Sequence, residues 1–201
     1  YLAAKYFANF FINDKYAYQA EYGDGVIGIG RQELDVEHNH SQGDNLFEIS
    51  VDNIDGAFPV ADGPQYIHTG HNNNSISWTS QNTPDSSSIQ RLQRVWRWDL
   101  DGVTGSRQVN IRMATYDLDK LPPLPTGYTK YGVLVESASN FVPNFSSANS
   151  EVIELSGLGP IPADTLEPYY EASVTVEKGS FLTICAIKPP IDFENSTQNF
   201  V

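Results

Sequence analysis

Sulfur is nearly absent from this chain: 201 residues contain one cysteine, Cys185, and one methionine. A lone cysteine excludes an internal disulfide and a cysteine-based zinc site. Positive charge is scarce too. Twelve Lys and Arg stand against 25 Asp and Glu, a net of −13 with a pI near 4.5. Such a chain repels phosphates, which argues against nucleic acid or an anionic membrane surface as a principal partner. No apolar run is long enough to span a bilayer. The G-x-S-x-G elbow of a serine hydrolase is missing. So is the lysine that would make a phosphate loop of the glycines at 23, 25, 28 and 30. No H-E-x-x-H helix supports a zinc protease. Nothing here specifies an enzyme, and the expectation is that the chain is not one.

What is present excludes disorder. Hydrophobic residues make up 40% and aromatics 12%, enough to pack a core. A chain of this length needs no disulfide or metal to do so. It begins at Tyr1 without a basic segment and apolar signal core, so it is expected to be processed or part of something longer.

Residues 1–13 read as an N-terminal helix. Leu2, Tyr6 and Phe10 fall on one stripe, and Ala3, Phe7 and Phe11 on the next. The broad apolar face suits an ordinary core helix. It equally suits a junction, in which Tyr1, Leu2, Tyr6, Phe7, Phe10 and Phe11 pack on a preceding domain or a neighbouring subunit. Residues 14–190 read as β structure throughout. Val26–Gly30, Leu46–Val51, Lys130–Glu136, Glu151–Leu155, Tyr169–Val176 and Phe181–Ile187 are strand-like. Gln65–Gly70 and Ser75–Thr79 flank Asn72-Asn73-Asn74 and suit a hairpin. Gln90 to Leu100 reads as one long strand, with Leu92, Trp96, Trp98 and Leu100 on one face. Asp101-Gly102 then suits a turn into a hairpin with Val109, Ile111 and Met113. About ten short strands with almost no second helix predict a mainly β fold, an antiparallel β-sandwich. Residues 191–201 read as a linker or tail.

Several phrases together carry a resemblance: Tyr1-Leu-Ala-Ala-Lys-Tyr6, Val26-Ile-Gly-Ile-Gly-Arg31, Gly70-His-Asn-Asn-Asn74, Arg94-Val-Trp-Arg97, Leu121-Pro-Pro-Leu-Pro125 and Gly132-Val-Leu-Val-Glu136. Their order resembles a module of large secreted surface proteins of the Bacteroidota, found after laminin-G-like domains. Phe7 stands where that family usually has glycine, and Thr69 where a tryptophan is common. The resemblance implies export by the type IX secretion route, an extracellular, cell-surface location and an adhesive or structural role. It supplies no catalytic residues. Asp164-Thr165-Leu166 matches the short O-glycan acceptor pattern of that bacterial group, which makes Thr165 a candidate acceptor.

Other residues are weighed for chemistry. His38 and His40, and His68 and His71, form two close pairs. They read as surface polar residues more readily than as metal ligands, because zinc needs three or four convergent donors. Asp52-Asn-Ile-Asp55-Gly56 and Asp99-Leu-Asp101-Gly102 look like calcium-loop fragments without the full oxygen set, so structural calcium stays open as a minor option. No cofactor is called for. Five of the twelve basic residues lie within Arg91 to Arg112. They read as cross-strand pairs with the many carboxylates rather than a basic patch. Trp96 and Trp98 belong in the core. Trp78, Tyr169 and Tyr170 are the candidate ligand contacts. The expected partners are neighbouring domains or identical subunits, with glycans or other cell surfaces next. The leading function is a structural or adhesive module of a surface protein or filament; the alternative is a carbohydrate-binding module attached to a secreted hydrolase.

Overall fold

A computed structural model describes residues 16–33, 36–42, 48–59, 62–114, 121–137, 141–158 and 169–189. The N-terminal stretch 1–13, Thr165 and the tail 191–201 lie outside the described residues.

The chain is mainly β, in two antiparallel sheets. The described strands are β1 (Asp24–Glu33), β2 (Val36–His38), β3 (His40–Gln42), β4 (Glu48–Ser50), β5 (Gln65–His71), β6 (Trp78–Thr79) and β7 (Ile89–Leu92). Then come β8 (Trp96–Asp101), β9 (Arg107–Ala114), β10 (Lys130–Glu136), β11 (Ser150–Glu154), β12 (Ser156–Leu158), β13 (Tyr169–Val176) and β14 (Phe181–Ile187). The described residues also form two single helical turns, α1 (Gln19–Tyr22) and α2 (Ile54–Ala57). Among the described residues the strands thus number fourteen, above the ten or so expected. The larger sheet runs β11-β10-β14-β8-β5-β1-β2, with β6 and β7 branching from β14. The smaller runs β12-β13-β9-β4-β3.

Period-2 alternation sorts each strand. Ile27 and Ile29 of β1, Trp96, Trp98 and Leu100 of β8, Val133 and Val135 of β10, and Leu182 and Ile184 of β14 turn inward. They meet Ile49 of β4, Val109, Ile111 and Met113 of β9, and Val174 of β13 in one core between the sheets. The larger sheet also buries its outer face. There Tyr16, Tyr22 and Val26 join Leu134, Phe145, Phe181 and Cys185 in a second core. Burial in those apolar surroundings pushes the Cys185 thiol pKa up.

The sheets are joined at both edges by continuous chain. β2 ends at His38 and β3 begins at His40, in the other sheet; β11 ends at Glu154 and β12 begins at Ser156, again in the other sheet. One residue turns each corner, as where strands switch sheets in packed sheet pairs. One backbone group of each corner residue is hydrogen-bonded. Asn39 O accepts from Val51 N–H at 3.0 Å, and Leu155 N–H donates to Tyr131 O at 3.0 Å.

Three strand pairings differ from those the alternation suggests. Gln90–Leu100 is not one strand but β7 and β8. The chain leaves the sheet between them, where Gln93 and Arg94 donate their N–H groups to Ser77 O and Ser75 O, each at 3.1 Å. β8 and β9 are not a hairpin. They lie in different sheets, because their apolar faces bury against each other across the core rather than side by side. The chain crosses through Gly102 and Gly105, both at positive φ of 68° and 71°, which glycine adopts without steric cost. β5 does not pair with β6; it pairs with β1 and β8, and β6 with β7.

The glycines of β1 have a packing cause. Gly30 pairs with Tyr66, and a Cβ there would lie 2.3 Å from Gln65 O and 2.8 Å from the Tyr66 ring. Gly30→Ala is therefore expected to lower unfolding free energy by about 1–3 kcal/mol. Gly157→Ala, whose Cβ would meet only the Tyr170 ring at 3.4 Å, should stay within about 0.5 kcal/mol. Urea unfolding of both variants checks this, and equal effects would contradict the packing argument.

Candidate interaction sites

The lead-in segment 16–22 lies on the outer face of the larger sheet, against β8. Gly70 makes room for it: a Cβ there would stand 2.2 Å from Tyr22 O and 3.1 Å from the Tyr16 ring. The Tyr16 hydroxyl donates to Arg97 O at 2.8 Å, and the Thr69 hydroxyl donates to the same carbonyl at 3.1 Å. Burial drives the Tyr16 hydroxyl pKa far up, so it stays a neutral donor. The Arg97 guanidinium sits 3.7 Å from the Tyr18 ring centroid, 4.9 Å from Phe181 and 5.7 Å from Tyr22. Glu21 approaches it at 3.9 Å. Two residues on, the buried Asp99 carboxylate accepts from Ala17 N–H at 2.8 Å and pairs with Lys178 Nζ at 3.0 Å.

Arg97, expected in a cross-strand pair with a carboxylate, and Asp99, part of a calcium-loop-like fragment, both stand on the outward face of β8. Both are buried, and they hold the lead-in segment. Taking such charges out of water is costly unless rings, backbone donors and counter-charges replace the hydration. The cation–π geometry supplies about 2 kcal/mol at a desolvated site. Arg112, by contrast, does form the expected cross-strand pair, with Glu171 at 2.9 Å. Arg91 and Arg107 bind backbone carbonyls instead.

The histidine pairs do not form a donor set. His38 and His40 fall on strands of different sheets. His68 and His71 are buried rather than surface residues; His68 stacks on Tyr66 at 5.9 Å, and His71 Nδ1 accepts from Asn73 N–H at 3.0 Å. The calcium-like fragments are also engaged. Asp55 bonds to Arg31 at 2.5 Å, and Asp99 is taken by Lys178 and Ala17. Among the described residues no group of three or more His, Cys, Asp or Glu could hold a metal ion. Among them, too, no helix is long and apolar enough to cross a membrane.

The candidate ligand contacts Trp78 and Tyr170 do converge, on either side of Tyr131. The Trp78 and Tyr131 rings are 6.3 Å apart, and Tyr131 and Tyr170 are 5.0 Å apart. Tyr131 had no sequence signal beyond its strand. Two of the rings also fasten the proline-rich segment: Trp78 Nε1–H donates to Pro123 O and the Tyr131 hydroxyl to Pro122 O, both at 2.9 Å. Trp78 and Tyr170 are half-buried, and Tyr169 precedes Tyr170 on β13.

The loop after β10 divides its two phenylalanines. Phe145 is fully buried, with the Arg91 guanidinium 5.4 Å from its ring centroid. Phe141 is 89% exposed and Val142 71%. The loop is braced by three hydrogen bonds, from Glu136 and Asn82. Buried Glu136 accepts from Asn144 N–H at 2.5 Å. The Asn82 amide donates to Pro143 O at 2.9 Å and accepts from Ser146 N–H at 3.2 Å. Exposed apolar side chains on a fixed support lose little entropy on binding a partner.

Two outcomes follow from the Arg97–Asp99 arrangement. Arg97→Ala should cost about 3 kcal/mol in urea unfolding, and Arg97→Lys should recover less than half of it, since an ammonium lacks the stacking plane; full rescue by lysine would contradict the ring contact. The Lys178 pKa is raised above 10.5 by its hydrogen bond to Asp99, which outweighs desolvation. A raised folded pKa gives stabilisation that is complete below the unfolded value and lost as pH rises through the folded one. The stability difference between the native chain and Lys178→Met should therefore be flat from pH 7 to about 10 and shrink above that; a difference that shrinks below pH 9 would contradict the pairing.

No curated protein and no solved structure matches this chain. One family does, over residues 1–161, a span that takes in the lead-in segment, β1 to β12 and the braced loop. With more than half its length matched, the chain belongs to the DUF8202 family, a domain of unknown function.

Proposed function

We propose that this chain is a non-catalytic structural and adhesive module of an extracellular surface protein or filament, a β-sandwich domain that packs on neighbouring domains or identical subunits. The observation that carries the reading is the fixing of residues 16–22 to β8 through Arg97 and Asp99. A flexible tether would need no such contacts. Chain that arrives at Tyr16 is instead coupled to the central strand of the larger sheet, as suits a module that holds a set orientation to whatever precedes it. The exposed Phe141–Val142 tip offers a second contact on a fixed support. Export by the type IX route and a place on a bacterial cell surface belong to the same proposal and rest on the ordered sequence phrases.

Deleting residues 1–12 is expected to abolish association with the neighbouring domain or subunit while the two sheets stay folded. Size-exclusion chromatography and circular dichroism read the two effects separately. Assembly that persists unchanged sinks the idea.

A second reading, a carbohydrate-binding module attached to a secreted hydrolase, is favoured by the convergence of Trp78 and Tyr170 on Tyr131. It predicts that Trp78→Ala lowers retention on a glycan array; a flat array response from the native chain counts against it.

A further inference from the structure

A cleft of about 260 Å³ with a mixed polar and apolar lining opens beside the smaller sheet, between the β4–α2 connection and the start of β9. Its lining includes Asp52, Asn53 and Ala57 on one side and Arg107, Gln108 and Asn110 on the other. The groups are set in place by the fold. Asn110 Nδ2 donates to Asp52 Oδ1 at 2.8 Å, which orients the carboxylate. Asn53 Oδ1 accepts from Gly56 N–H at 3.1 Å, which directs the amide NH₂ away from that bond. Arg107 is held by three carbonyls: Nε donates to Ala57 O at 2.8 Å, and Nη1 to Thr104 O and Ser106 O at 2.9 Å each. Gln108 is exposed at the rim.

The chemistry of this lining selects among ligands. An anion would meet the Asp52 carboxylate on a chain of net charge −13. A metal ion would find one carboxylate, short of the six or more oxygens calcium needs. A large apolar ligand would find no aromatic ring in the lining. What remains is an alternation of carboxylate, amide and guanidinium groups with the charges of Asp52 and Arg107 balanced. A carboxylate oxygen beside amide N–H groups matches two adjacent hydroxyls, one donating and one accepting. The volume falls just below the range of drug-sized sites, which suits one sugar ring. The neighbouring sheet continues the same chemistry: Ser50 and Ser173 flank Asn110 in register, and Thr175 pairs with Gln108. Ser173 and Thr175 are exposed.

We propose that this cleft binds the adjacent hydroxyls of a neutral saccharide, with Asp52 and Asn110 as the central contacts and Asn53 and Gln108 at the rim. The proposal rests on neither reading given above, and it places the sugar away from Trp78.

The test is a nuclear magnetic resonance titration of the whole chain with free glucose, galactose, mannose and N-acetylglucosamine, each into the millimolar range expected of a single small contact set. At least one sugar should shift the side-chain amide signals of Asn53, Gln108 and Asn110 in a saturable way. Asp52→Ala should weaken that binding at least tenfold and Gln108→Ala severalfold, with the β8 signals unchanged in both, and the Trp78 indole signal of the native chain should not move on titration. No response from any of the four sugars overturns the proposal. Binding that survives Asp52→Ala, that shifts the Trp78 indole signal instead of the cleft amides, or that needs added calcium overturns it as well.

Discussion

Strand β8 is asked to bury both of its faces, and the rest of the structure is arranged around that demand. It is the middle strand of the seven in the main path of the larger sheet. Inward it carries Trp96, Trp98 and Leu100, all at most 2% exposed. Outward it carries Arg97 and Asp99, two charges that water barely reaches. The inward face requires the smaller sheet to lie across it. The outward face requires a cover that can replace hydration, and residues 16–22 with Lys178 provide it through rings, one backbone N–H and one ammonium. Breaking one partner of a buried charge leaves the other uncompensated, so the lead-in segment and the sheet are energetically one body.

The second constraint lies at the edges. Sheet edges are a standing liability because their unpaired N–H and C=O groups invite other chains. Here Asn39 and Leu155 each turn the chain from the edge of one sheet into the edge of the other. The two outer faces also differ. That of the larger sheet is roofed by a second core. That of the smaller sheet presents Ser50, Gln108, Asn110, Ser173 and Thr175, hydroxyls and amides suited to a hydrated ligand.

Much of the local structure was legible in the sequence because alternation is local. β1, β10, β13 and β14 fall where the apolar pattern places them, and the tryptophans of β8 are in the core. Partner choice was not legible. The same alternation in β8 and β9 serves a hairpin or two facing sheets equally well, and only tertiary packing separates them. The Asp-Gly pair at 101–102 marks a turn without saying which sheet the chain enters next. Charged residues misled for a related reason. Arg97 and Asp99 sit at outward positions of a strand, which suggests solvent; that segment 16–22 would cover them depends on contacts 81 and 82 residues apart in sequence. Trp78 and Tyr170 were marked for their ring chemistry, but Tyr131, which joins them, lay in an ordinary strand pattern. The Asp52–Gly56 stretch was noticed as a metal-loop fragment. Its other half, Gln108 and Asn110, comes from β9, and no local pattern links them.

The central claim is that residues 16–22 and β8 form one cooperative unit. Native-state amide hydrogen exchange, followed residue by residue as urea is raised, tests it directly. The account predicts that the protected amides of residues 17–22 open with the same free energy and urea dependence as those of β8. Opening of residues 17–22 at low urea, several kcal/mol below the global transition and with β8 still protected, would contradict it.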